Sequence, residues 1–111
     1  MKIERQSRDL EKKELFKLAN DNHVLMKNLP DGSIINVTDY VRYTNDNGEE
    51  VAVFYHTDTE TGEVVTIATS SPTVIKTAES AFVFMESYNL QFKLTRSQSK
   101  AGRTYMNFEL V

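Results

Sequence analysis

Ser71-Pro72-Thr73-Val74-Ile75-Lys76-Thr77-Ala78-Glu79-Ser80-Ala81-Phe82-Val83-Phe84-Met85-Glu86 is the stretch whose reading decides the fold. Its chemistry is that of one helix set between extended segments. The Ser71 hydroxyl suits an N-cap, because it can accept from a free first-turn N–H. Pro72 then falls at the first helical position, where its fixed φ fits and its missing N–H costs nothing. Val74, Ala78, Phe82 and Met85 recur at helical spacing, and Ile75 and Ala81 widen the apolar stripe. Asn89 is the expected stop.

On either side of this helix the pattern changes from a period of 3.6 to a period of 2. Downstream, Leu90, Phe92 and Leu94 alternate with Gln91, Lys93 and Thr95, and Met106, Phe108 and Leu110 alternate with Tyr105, Asn107 and Glu109. Leu90, Phe92, Leu94, Met106, Phe108 and Leu110 are expected to face a core, and Lys93, Thr95, Tyr105 and Asn107 to face outward. Upstream, Ser33 to Thr44 is a long run rich in β-branched and aromatic residues. Asn45-Asp46-Asn47-Gly48 is a hairpin signal before Val51–Thr57, and Thr59-Glu60-Thr61-Gly62 turns the chain into Glu63–Thr69. All four glycines (Gly32, Gly48, Gly62, Gly102) lie in predicted turns. Ahead of these, Arg8 to Ala19 reads as a peripheral helix with a loose face of Leu10, Leu15, Leu18 and Ala19, ended by Asn20-Asp21-Asn22. His23-Val24-Leu25-Met26-Lys27 reads as a short strand.

Three strands, a helix and two strands, the first strand unusually long, is the element order of an OB-fold, a five-stranded Greek-key barrel whose helix lies between strands three and four. The expected strands are 33–44, 50–58, 63–70, 90–97 and 103–111. The chain is therefore read as mainly β, with a 33–111 OB-fold domain and a 1–32 extension holding the N-terminal helix and the short extra strand. The competing architecture is another small α+β sheet with the helix packed across one open face.

At 111 residues, with 40% hydrophobic and 26% charged residues, the composition is that of one folded domain. There is no cysteine, so no disulfide, thiol nucleophile or thiolate metal site is available. Met1-Lys2-Ile3-Glu4-Arg5-Gln6 has no apolar run behind its charges, and no stretch approaches the ~18 apolar residues of a membrane span, so a cytoplasmic protein is expected. The net charge of −3 is unevenly spread: +2 over residues 1–20, −8 over 21–89 and +3 over 90–111. A basic C-terminal hairpin on an acidic body is compatible with phosphate binding at one face.

Catalytic patterns are missing. His23 and His56 stand apart from one another and from any ligand-spaced cluster, and no nucleophile elbow, P-loop or dinucleotide fingerprint occurs. Asp58, Glu60 and Glu63 crowd a turn without the calcium-loop pattern. No enzyme activity, metal or cofactor is expected.

What is present is aromatic residues interleaved with hydroxyl and basic ones. Single-stranded nucleic acid needs rings on which bases stack and cations that follow the phosphates. An OB-fold offers the face of strands two and three and the loops between strands one and two and four and five, here Val51–Ala68, Asn45–Glu50 and Ser97–Arg103. The candidate site residues are Tyr40, Arg42, Phe54, Tyr55, Lys93, Arg96, Lys100, Arg103 and Tyr105. Tyr105, expected outward among Lys93, Arg96, Lys100 and Arg103, either stacks a base or covers a barrel edge. Strict alternation puts Tyr40 and Arg42 on one side of the long strand and Val37, Val41 and Tyr43 on the other, which makes Tyr40 the ring expected on the surface, either exposed or partly buried at the barrel bend. Phe54 and Tyr55 point to opposite faces, and the pattern leaves open which is buried.

Ile67-Ala68-Thr69-Ser70-Ser71-Pro72-Thr73-Val74-Ile75 and Ser99-Lys100-Ala101-Gly102-Arg103-Thr104-Tyr105 resemble small OB-fold single-stranded-DNA-binding proteins of Gram-positive phages and mobile elements. The likeness covers residues 33–111 in element order and these two motifs in residues. It implies coating and protecting unwound strands in replication or recombination in the host cytoplasm. Implied partners are single-stranded DNA, further copies of the chain and replication or recombination proteins. Two departures stand out: there is no Trp for stacking, and the chain ends in Asn107-Phe108-Glu109-Leu110-Val111 where an acidic tail is usual. The alternative function is a protein-interaction module or phage accessory factor that binds no nucleic acid.

Overall fold

A computed structural model describes residues 1–20 and 22–111, and Asp21, expected within the turn that ends the first helix, lies outside the described residues. The order is β1 (Lys2–Gln6), α1 (Lys12–Asn20), β2 (Val24–Leu25), a 3-10 turn (Met26–Asn28), β3 (Ser33–Thr44), β4 (Glu50–Thr57), β5 (Val64–Thr69), α2 (Pro72–Met85), β6 (Gln91–Gln98) and β7 (Thr104–Leu110). The fold is mainly β, a curled open sheet with two helices. The five predicted strands and the predicted central helix are all present as β3–β7 and α2. Among the described residues no helix is long and apolar enough to cross a membrane.

α2 begins as its sequence dictates: Ser71 accepts from Val74 N at 3.3 Å and Pro72 opens the helix. It ends three residues before Asn89, at Glu86, whose left-handed φ of 52° lets Ser87 N donate to Phe82 O at 3.1 Å. Val74, Ile75, Ala78 and Phe82 are buried, whereas Met85, expected in the stripe, is exposed because it stands at this departing end.

The strands run β2-β5-β4-β3-β6-β7, with β1 pairing β3 off this path. β3 is long enough to serve several neighbours. Residues 37–44 pair with β4, Ser33–Asn36 with β6, and the edge that β6 leaves is taken by β1, from Thr44↔Lys2 to Val41↔Gln6. Among the described residues no ladder joins β5 to β7, so the sheet stays open there. The concave side holds the main core: Met26, Ile35, Val37, Tyr40, Phe54, Phe92, Leu94 and Phe108 pack under α2. Phe92 and Phe108 stack at 4.4 Å. Leu110 pairs with Phe92 at the strand end and is 42% exposed, although alternation predicts it inside.

A second apolar cluster lies on the outer face. Leu18 of α1 is buried against Val41, Tyr43, Val53 and Ala68, with Leu10, Leu15 and Ile3 packed around it. The helix is shorter than the predicted 8–19, and its Ala19 is exposed. The predicted 23–27 strand shrinks to two residues parallel to β5, after which Met26 turns fully into the core.

Candidate nucleic-acid interface

One extra residue on β3 redirects the part of the predicted site that lies on the long strand. Val37 pairs with His56 and Asp39 with Tyr55, so Thr38 bulges and the alternation flips at that point. Val37 and Tyr40 therefore share the concave side, while Val41 and Tyr43 face outward into the α1 cluster. Tyr40, expected on the surface, is 1% exposed and packs on Phe54 and Phe82 at 5.1 and 5.0 Å. His56 fills the bulge, its Nδ1 accepting from Asn36 N at 2.8 Å. His23 is equally occupied, with Thr66 Oγ1 at 2.6 Å and Leu18 O at 3.1 Å.

The Tyr40 phenol donates to Glu79 of α2 at 2.6 Å, and Arg42 Nε reaches the same carboxylate oxygen at 2.6 Å. Burial and the adjoining carboxylate push the phenol well above the ordinary tyrosine range. Arg42 also bonds Glu50, and Arg5 of β1 bonds Glu79 and the Tyr88 hydroxyl. Arg42 is thus a structural cation, tied to two carboxylates. Neither Arg5 nor Glu79 was legible as part of such a network, because the residues that each of them bonds lie 37 to 83 positions away in the chain.

Strand two resolves in the same way. Phe54 is fully buried in the concave core, and Tyr55 is half-buried in the outer cluster with the Arg8 guanidinium 5.9 Å from its ring centre. On the outer face of β4 and β5, the expected OB-type binding strands, Val53 and Ala68 are buried in the cluster that Leu18 of α1 joins. The adjoining 45–50 turn carries Asp46, Glu49 and Glu50, and Asp46 pairs with the chain's amino group at 3.0 Å. Asp58, in the next turn, accepts from Glu60 N and Thr61 N at 2.8 and 3.1 Å, which holds its carboxyl below the usual range. Among the described residues no three His, Asp or Glu side chains converge as a metal-binding set.

The β6–β7 hairpin is what remains. Register pairs Lys93 with Glu109, Thr95 with Asn107 and Ser97 with Tyr105, so these six side chains share the outer face. Tyr105 is 50% exposed, and Lys93, Lys100 and Arg103 are exposed, none in an ion pair among the described residues. Arg96 does not join them. It falls on the opposite, core-side parity with Phe92 and Leu94, and its Nη2 donates to the Lys27 and Leu29 carbonyls at 3.0 and 2.6 Å. The hairpin turn is closed by Ser99 N to Arg103 O at 2.8 Å, which sets Lys100 and Arg103 at its tip.

A groove of about 870 Å³ opens where β2 and the 3-10 turn approach β7, floored by Val24, Leu25, Val51, Ala68 and Met106. Arg96 anchors this junction through its two carbonyl contacts.

No family model matches the chain, and no curated protein and no solved structure matches it.

Proposed function

We propose that this chain is an OB-fold protein that binds single-stranded DNA without sequence preference through the outer face and tip of the β6–β7 hairpin. The OB reading is supported by the order of the last five strands, in which the first sits between the second and the fourth, and by the helix between the third and fourth. The observation that carries the function is the partition of basic residues. Of the arginines, Arg5, Arg8 and Arg42 are held by carboxylates and Arg96 by carbonyls, while Arg103, with Lys93 and Lys100 of the same hairpin, is in no ion pair among the described residues around the exposed Tyr105 ring. A base stacks on Tyr105, the three cations follow the phosphates, and Thr95, Ser97 and Asn107 meet sugar and base edges. The resemblance of residues 67–75 and 99–105 to phage and mobile-element single-strand binders supports the role: coating strands unwound in replication or recombination.

Titration with oligo-dT, followed by tyrosine fluorescence at several salt concentrations, tests this. Three phosphate contacts on a single strand give a log–log salt slope of about −2 or steeper. Tyr105→Ala weakens binding by ~1–3 kcal/mol. No binding at low salt refutes the reading, and undiminished binding by Tyr105→Ala removes the ring from it.

A second reading, a protein-interaction module, is favoured by Val83, Phe84 and Met85, three apolar side chains exposed in succession on α2. It becomes the better one if oligo-dT fails to bind at low salt.

A further inference from the structure

We infer that the groove beside Lys27 is a second nucleotide subsite on the same strand path, an inference that rests on the single-stranded-DNA reading of the hairpin. Residues 21–89 hold eleven carboxylates and carry a charge of −8. All but one of the described groove-lining residues come from this acidic segment, yet none of those described is Asp or Glu. Lys27, the one lysine between residues 18 and 75, is among them, exposed and in no ion pair among the described residues. Among the described residues, the carboxylates of this segment thus lie elsewhere than on this concave surface. An anion-bearing ligand is what such a distribution accommodates.

The rest of the lining fits a nucleotide. Val24, Leu25, Val51, Ala68 and Met106 offer an apolar floor for a base. Asn22, Asn28 and Ser70 are exposed around it and supply donors and acceptors for base edges and sugar. The groove's volume, about 870 Å³, lies within the ~300–1,000 Å³ of sites that take small organic ligands. Its position continues the hairpin path. Met106 follows Tyr105 on β7, and Arg96, paired across the ladder with Met106, fixes the 3-10 turn that carries Lys27. A strand stacked on Tyr105 passes over the β7 edge into the groove, where Lys27 meets the next phosphate.

The test compares wild-type protein with Lys27→Glu on oligo-dT across a salt series. A bromodeoxyuridine-substituted oligonucleotide is also photocrosslinked to wild type and the attached peptides mapped. Expected are roughly tenfold weaker binding by Lys27→Glu at low salt, a salt slope shallower by about 0.7, and crosslinks within residues 22–28 as well as at the hairpin. Wild-type binding with an unchanged Lys27→Glu and crosslinks confined to residues 99–106 overturns the groove subsite and leaves the hairpin site standing. Absence of binding by wild type at low salt overturns both. The crosslinking arm uses the unmodified chain, so a folding defect in the variant cannot decide the outcome.

Discussion

Glu79→Ala removes the acceptor on which three donors converge, and its effect follows from what each donor has left. Glu79 is 17% exposed and takes Tyr40 Oη at 2.6 Å, Arg42 Nε at 2.6 Å and Arg5 Nη1 at 3.4 Å. The phenol has no other acceptor among the described residues and is buried, so leaving it unpaired costs ~1–3 kcal/mol. Arg42 keeps Glu50 and Arg5 keeps the Tyr88 hydroxyl, and both guanidiniums reach solvent, so each adds only ~0.5 kcal/mol. The sum is about 3 kcal/mol. A chain of this length loses roughly 4 °C of Tm per kcal/mol, which gives a drop of about 12 °C.

Thermal melts followed by circular dichroism on wild type, Glu79→Ala, Tyr40→Phe and the double variant measure both the loss and its origin. The phenol carries most of the penalty, so Tyr40→Phe in the Glu79→Ala background should recover part of it, with a coupling energy above ~1 kcal/mol. A Tm within about 2 °C of wild type for Glu79→Ala, or strictly additive variants, would refute the reasoning.

Two further outcomes follow from the same structure. An unfolded chain releases its phenol protons from about pH 10, whereas folded Tyr40 holds its proton longer, with Tyr43 and Tyr55 shifted the same way by burial. Stability is therefore full below about pH 10 and lost as pH rises above it; urea midpoints from about pH 9 to 11.5 should fall less steeply for Tyr40→Phe than for wild type, and parallel curves would remove Tyr40 from the effect. Phe84 is 85% exposed on α2 and contributes little to the core, so Phe84→Ser should change stability by less than ~0.5 kcal/mol in urea unfolding, a result that a loss above ~1.5 kcal/mol would contradict.

What could be read from the chain, and what could not, divides along the range of the interactions involved. The Ser71 cap, Pro72, the turn glycines and the alternation on β6 and β7 are local signals, and the structure follows them to within a residue or two for α2's start and for the five strands. β1 was missed because Ile3 alone is apolar in Lys2–Gln6, and an edge strand paired on β3 needs no more than that. The bulge at Thr38 left no signal, since its surroundings alternate plausibly in either register, and one extra residue was enough to move Tyr40 from the expected surface to the core. Charge was the least legible property: sequence gives the sign of a side chain, and only the fold says whether a carboxylate or carbonyl already holds it. Arg42 and Arg96 read as phosphate ligands until Glu79, Glu50 and two backbone carbonyls are placed beside them. The hairpin's apparent surplus of +3 counts Arg96, whose guanidinium is committed to the Lys27 and Leu29 carbonyls, and Lys93 stands opposite Glu109. Lys100 and Arg103 at the tip are then the least compensated cations beside Tyr105, so a strand bound here is held chiefly at the turn. A footprint longer than the hairpin tip would need a further cation along β7's open edge, and Lys27 is the lysine that the groove places there.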